Sequence, residues 1–247
     1  MKKLTFFLLL YLVSMTGLAS SETKPNLAIP PGALVIASEW LLDGDTPRGF
    51  TKEVKTGLPQ VALENGFLRL SSNKTSFGFK RETKARVKEY PYLNWSWQAR
   101  RLPRGGDFRK GETDDQAGQL YVLFPRFPAK VNTLMLGYLW ENEAPKGTSG
   151  TSTAWSKLKC IVLRDKTDPL GVWYNESRNV YEDYKKLFNE EPPELGGIAL
   201  YINSQHTGSE AEAVITLHPN QQFQCQTSFA LSEFKGTGYQ NPIESAA

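Results

Sequence analysis

The side chains with chemistry to offer are few. The stretch GDFRKGETDD, residues 106–115, holds four carboxylates at Asp107, Glu112, Asp114 and Asp115. Acid–base cleavage of a glycosidic bond needs two carboxyl groups on either side of one bond. Asp114 and Asp115 do not meet that need as neighbours on a strand, because successive side chains project to opposite faces. Extending the alternation of the segment that follows, Asp114 aligns with Leu120, Val122 and Phe124 toward a core, and Asp115 aligns with Gln119 and Tyr121. No catalytic residue is assigned on this basis. The oxygens of Asp107, Asp114 and Asp115 are candidate calcium ligands, since calcium takes carboxylates from sandwich loops, although no calcium-loop signature accompanies them. No other cofactor is expected. A serine nucleophile would have to draw on His206 or His218, and no G-x-S-x-G elbow occurs. Two cysteines and two lone histidines do not make a closed zinc site.

A second polar cluster, Arg178, Asn179, Glu182 and Asp183, stands where a helix begins. An arginine fork there suits an anion, or else Arg178 pairs with Asp114 or Asp183 and holds the helix in place. If any sheet face binds a ligand, the one bearing Asp115, Gln119 and Tyr121 is expected to do so. A planar aromatic beside an amide and a carboxylate suits a sugar, whose apolar face stacks while its hydroxyls pair.

The elements that must position these groups are mostly strands. In LNWSWQAR, Leu93, Trp95, Trp97 and Ala99 share one face and Asn94, Ser96, Gln98 and Arg100 the other, the alternation of a half-buried antiparallel strand. QAGQLYVLFPRF, KVNTLMLGYLW, KLKCIVLRD, GVWYNESRN, GGIALYINS, EAVITLHP and QQFQCQTSF read similarly, separated by Gly-rich loops such as GTSGTSTAW. Residues 180–188 differ. Val180, Tyr184, Leu187 and Phe188 recur at helical spacing, Asn179 can cap the first turn with Glu182 three residues on, and Pro192-Pro193 stops the helix. The pattern predicts an all-β fold, a single antiparallel jelly-roll-like β-sandwich over residues 22–235 with one short amphipathic helix as a lid, and a frayed tail over 236–247.

Residues 1–21 have two lysines, an apolar run from Leu4 to Met15 and small residues after it, the plan of a secretory signal peptide. The apolar run is too short to span a bilayer, so an exported chain, periplasmic or secreted, without a transmembrane anchor is expected. Of the 29 Lys plus Arg, Lys2 and Lys3 leave with the peptide, so 27 stand against 26 Asp plus Glu. A near-neutral chain without a basic stripe argues against a nucleic-acid partner. Cys160 and Cys225 both alternate with apolar residues, so both thiols are expected to point inward, and in an oxidising compartment a disulfide between them is expected.

PYLNWSWQARRLPRGGDFRKGETDDQAGQLYVLF and SRNVYEDYKKLFNEEPPELGGIALYINSQHTG, in that order, resemble the bacterial family known as domain of unknown function 3047. The resemblance runs from about Gly66 to Val214 and includes Trp95, Trp97, Asp107, Asp114, Asp115, Tyr121, Arg178, Asn179, Asp183, Tyr184, Thr207 and Gly208. It implies an exported β-sandwich and no established activity. The chain departs from the family pattern at Gln119, where the family has Arg, at Asn203 and Gln205, where it has acids, and at His206, where it has Asn. With Asn203 added, the candidate ligand-binding residues are Asp115, Gln119, Tyr121, Arg178 and Asn203. The reading that results is a non-catalytic binding module for a glycan or other envelope component. The alternative is a polysaccharide hydrolase or lyase using acids of the 107–115 loop.

Overall fold

The computed structural model describes residues 39–218, so the signal-peptide region, the tail and Cys225 lie outside the described residues. The strands are β1 (Leu42–Asp43), β2 (Thr46–Pro47), β3 (Thr51–Thr56), β4 (Gln60–Glu64), β5 (Phe67–Asn73), β6 (Ser76–Ala85), β7 (Tyr92–Arg101), β8 (Gly118–Phe124), β9 (Leu134–Trp140), β10 (Ser149–Thr151), β11 (Leu158–Arg164), β12 (Tyr174–Asn179), β13 (Leu195–Asn203) and β14 (Glu210–His218). A single helical turn, α1 (Ala129–Asn132), and the longer α2 (Val180–Phe188) interrupt them. A seven-stranded sheet in the order β10-β11-β9-β8-β13-β6-β3 packs against a five-stranded sheet ordered β12-β7-β14-β5-β4. This is the expected β-sandwich. Among the described residues pairing is antiparallel with one exception: β9 and β11 run parallel. Parallel neighbours need a returning connection, and here residues 141–157 make the return, with the short β10 pairing to β11 on the way.

The alternation read from the sequence builds the space between the sheets. Trp95 and Trp97 of β7 are both buried, and they meet Tyr138 and Trp140 of β9 with ring centroids 5.2 and 5.7 Å apart. Phe77 and Phe79 from β6, Leu120, Val122 and Phe124 from β8, and Ile198, Leu200 and Ile202 from β13 complete the layer. Each large side chain withdrawn from water stabilises the fold by about 1.5–3 kcal/mol before entropy is counted.

Helix α2 lies beside β12, the edge strand of the smaller sheet. Asn179 caps it, its Oδ1 accepting from the Glu182 amide at 3.1 Å, and Asn189 ends it in the left-handed conformation. Val180 and Tyr184 are buried, and Leu187 and Phe188 pack against the core. Tyr184 stacks on Phe188 and tilts against Phe124, each at 4.5 Å, so the helix closes part of the inter-sheet layer.

The opposite parity of the seven-stranded sheet is also largely buried. Tyr121, Leu123, Met135, Leu139, Cys160, Val162 and Ala199 form a second apolar cluster on its outer face, with Phe108 and Ala144 supplied by the covering loops. Cys160 therefore points away from the inter-sheet core, contrary to the inward placement expected of it. Its parity with Leu158 and Val162 holds, but that parity belongs to the outer face. Burial there pushes the thiol well above its ordinary range. The expected disulfide partner, Cys225, is not among the described residues.

Candidate functional site

Two glycines make the floor of the outer face. Gly78 in β6 pairs with Tyr201 of β13, and a Cβ at Gly78 would lie 2.3 Å from the Tyr201 ring. Gly137 in β9 pairs with Tyr121 of β8, and a Cβ there would lie 3.0 Å from both the Tyr121 ring and Cys160 Sγ. Removing the side chain from each strand lets the neighbouring tyrosine recline along the sheet. The two rings lie 5.3 Å apart, inclined by 33°.

Above this floor runs a groove of about 640 Å³. Its polar lining comes from β3 (Glu53, Lys55), β6 (Ser76, Lys80), the end of the 106–117 loop (Asp114, Gln116), β8 (Gln119) and the β13 end with its turn (Asn203, Gln205, His206). Lys130 on α1, and Ser152, Ala154 and Trp155 from the 141–157 return, complete the walls. Trp155 keeps 42 % of its surface exposed.

A directed chain of hydrogen bonds crosses the groove. Tyr121 Oη donates to Gln119 Oε1, Gln119 Nε2 donates to Asn203 Oδ1, and Asn203 Nδ2 donates to the Asp114 carbonyl at 2.6 Å. Asn203 Oδ1 also accepts from the Gln116 amide at 2.8 Å. Gln116 Nε2 donates to both Asp114 Oδ1 (2.8 Å) and Glu141 Oε1 (3.0 Å). Burial raises the Asp114 carboxyl above its usual range. Glu141, behind the groove wall and fully buried, is pushed up by burial to about 7 although the Phe108 and Asn142 amides donate to it. Charged carboxylates are disfavoured where water is excluded.

The two adjacent aspartates divide their work in the reverse of the parity expected. Asp114 lines the groove, whereas Asp115 is fully buried, its Oδ2 accepting from the Thr207 amide (2.7 Å) and hydroxyl (2.8 Å). Gln205, with its amide turned so that both ends are satisfied, donates to Asp115 Oδ1 at 3.3 Å and accepts from His206 Nε2 at 2.8 Å. Asp115 thus holds the turn that presents Gln205 and His206. The reason is that β8 begins only at Gly118. Asp114 ends a 3₁₀ turn with ψ 71°, so strand alternation does not extend back through it.

Of the other expected site residues, Gln119, Tyr121 and Asn203 converge on the groove, and Arg178 does not. Its guanidinium spans Asp183, Nε to Oδ2 at 2.9 Å and Nη2 to Oδ1 at 2.5 Å, while Tyr138 Oη donates to the same Oδ2 at 2.8 Å. That fork ties β12 to α2 and lies by a separate cavity of about 370 Å³ lined by Lys146, Glu176 and Lys186. Asp107 turns to Arg109, which donates to Oδ1 at 2.7 Å and Oδ2 at 2.9 Å and holds the carboxyl below its usual range. The three calcium candidates therefore face three different partners, and among the described residues no group of three or more His, Cys, Asp or Glu is placed to hold a metal ion.

Sequence reasoning passed over Trp155, Tyr201, Glu53 and the groove lysines. Two signals were available: the isolated glycines in SFGFK and LMLGYL, which mark close approach inside a strand, and a tryptophan in an otherwise small, polar loop.

The profile of the family described as protein of unknown function DUF3047 matches residues 49–216. The chain belongs to this family. Every groove residue named above falls inside the matched span, which begins earlier than the resemblance read from Gly66 and takes in β3 and β4. Gln119, Asn203, Gln205 and His206, the four positions at which the resemblance implied a departure, all line the groove. No curated protein matches the sequence. Among solved structures, a loop-swap mutant of the xylanase Xyn11A from Necallimastix patriciarum is 13 % identical, with 78 % of this chain and 98 % of that chain covered and a TM-score of 0.40. The xyloglucanase domain of NopAA, a type three effector from Sinorhizobium fredii, solved with cellobiose, is 10 % identical over 69 % of this chain and 93 % of that chain, at 0.42. The family 11 carbohydrate-binding module of Lic26A-Cel5E from Clostridium thermocellum is 8 % identical over 77 % and 99 %, at 0.35. Among the described residues no helix is long and apolar enough to cross a membrane.

Proposed function

We propose that this chain is an exported, non-catalytic module that binds a glycan in the groove across the seven-stranded sheet. The observation that carries the reading is the pairing of aromatic and polar surfaces in one concavity. Tyr201 reclines on the floor beside Tyr121 and Trp155 stands half-exposed in the wall, with Asp114, Gln205, His206 and lysines around them. Sugar rings offer an apolar face to aromatics and hydroxyls to such polar neighbours. Export rests on residues 1–21 as read from sequence.

The test is a glycan array on the purified chain, followed by calorimetry with Trp155→Ala and Tyr201→Ala. Both variants are expected to weaken binding by tenfold or more, as central aromatic anchors do, with an unchanged circular dichroism spectrum for Trp155→Ala. Absence of binding to any glycan on the array, or full affinity in both folded variants, would overturn the reading.

A second reading, a polysaccharide hydrolase or lyase, is favoured by one observation: burial raises Asp114 inside the groove, the direction required of a general acid. The groove's other carboxylate, Glu53, accepts from the Tyr201 hydroxyl. Release of new reducing or unsaturated ends by the wild type, abolished in Asp114→Asn, would replace the binding reading with this one.

A further inference from the structure

We infer that the saccharide held in this groove is anionic, bearing carboxylate or sulfate groups that Lys55, Lys80 and Lys130 receive. The inference rests on the glycan reading and names its ligand class. Three lysines from three elements, β3, β6 and α1, line one concavity. Lys55 and Lys130 make no ion pair among the described residues, and the nearest carboxylate to Lys80, Glu82, stands 3.9 Å away with 87 % of its side chain exposed. Lys55 instead sits 5.9 Å above the centre of the Tyr201 ring, over the surface where a sugar would stack.

Among the described residues neither acid of the groove lining, Glu53 or Asp114, makes an ion pair with Lys55, Lys80 or Lys130. Glu53 is engaged by the Tyr201 hydroxyl, and Asp114 receives Gln116 Nε2 and the Ser152 hydroxyl. Some basic groups elsewhere are matched at close range, as in Lys52 with Asp45 (2.7 Å) and Lys146 with Asp168 (2.8 Å), and others such as Lys74, Lys84 and Lys88 make no ion pair among the described residues. The groove lysines differ in lining one concavity together. A neutral saccharide would leave the groove lysines with only water and hydroxyl partners. One carrying acidic groups would gain charge-assisted hydrogen bonds, which are roughly twice as strong as neutral ones, in a concavity that focuses their field.

Calorimetry on the full chain should compare oligogalacturonate, which bears carboxylates alone, and a sulfated galactan oligosaccharide, which bears sulfates alone, with uncharged xylo- and cello-oligosaccharides of equal length, and with single-stranded DNA as a general polyanion. At least one acidic saccharide is expected to bind at least tenfold more tightly than the uncharged ones and to weaken as salt rises from about 50 to about 300 mM. Which acidic arm binds tells carboxylate from sulfate. Lys55→Gln with Lys80→Gln keeps most of each stem and should weaken that ligand by roughly a hundredfold, about tenfold for each charged hydrogen bond lost, with an unchanged melting temperature. Uncharged saccharides bound as tightly as acidic ones, with the double variant indifferent, would overturn this inference and leave the glycan reading standing. Equal affinity for single-stranded DNA would reduce the groove to a general polyanion trap and also overturn it. No binding by any saccharide would overturn both.

Discussion

Each sheet of the sandwich turns one face outward, and the two outer faces are built on different plans. On the five-stranded sheet the outward groups satisfy one another. Arg100 donates to Glu64 from both terminal nitrogens and lies 3.4 Å from Glu212, and Arg69 approaches the same two acids at 3.9 and 4.0 Å. On the seven-stranded sheet the outward parity is apolar at one end and polar at the other, and loops cover much of it. A face whose charges are paired across its own strands has little left to offer a ligand. A face half roofed by loops keeps buried floor, desolvated acids and cations without a close carboxylate. The difference traces to the parallel β9–β11 pair, whose return connection brings Ala144 and Trp155 over the sheet.

The comparison would break most visibly in the apolar part of the covered face. Leu139 is 1 % exposed in the outer cluster, and Leu139→Ala is expected to cost about 2–5 kcal/mol in denaturant unfolding. A loss below about 1 kcal/mol would mean that this face is surface rather than a second core.

Next in size is the titration of Glu141. Its carboxyl binds a proton more tightly folded than unfolded, being pushed from 4.5 to about 7. The folded state therefore carries the extra proton between those values. The contribution is fully present below about 4.5 and is lost as pH rises through about 7, by up to about 3 kcal/mol. Stability measured from pH 5 to 8 should fall across that window in the wild type, and the fall should shrink in Glu141→Gln. Parallel profiles for the two proteins would show that burial does not hold the proton there.

The smallest effect belongs to the paired face. Arg100→Ala removes groups that are about one-third exposed, and such ion pairs contribute about 0–1 kcal/mol. A cost approaching that of Leu139→Ala would erase the distinction between the two faces.

Much of the scaffold was legible in the chain. The alternation of β7 placed Trp95 and Trp97 in the core because one face of a half-buried strand must be apolar, and the cap and spacing of residues 179–188 marked α2 because both signals are local. The candidate site was legible in part. Gln119 and Tyr121 share a face by simple alternation, but Asp114 and Asp115 exchanged places because they precede the strand whose alternation was extended to them. Arg178 was readable as a binding group or a helix tie, and its fork onto Asp183, away from the groove, became visible only in the folded chain.

By itself, then, the sequence determined what depends on neighbours a few residues apart: strand parity, the helix and its cap, and the family pattern. Tertiary structure alone decided that the outward parity of β8, β9 and β11 is a second buried layer, that Cys160 belongs to it, and that Glu53, Trp155, Tyr201 and His206 face one groove. Those groups lie up to 153 positions apart, from 53 to 206. They meet because β3, β6, β13 and β8 lie side by side, and strand order is set by pairing and burial over the whole chain rather than by any local signal.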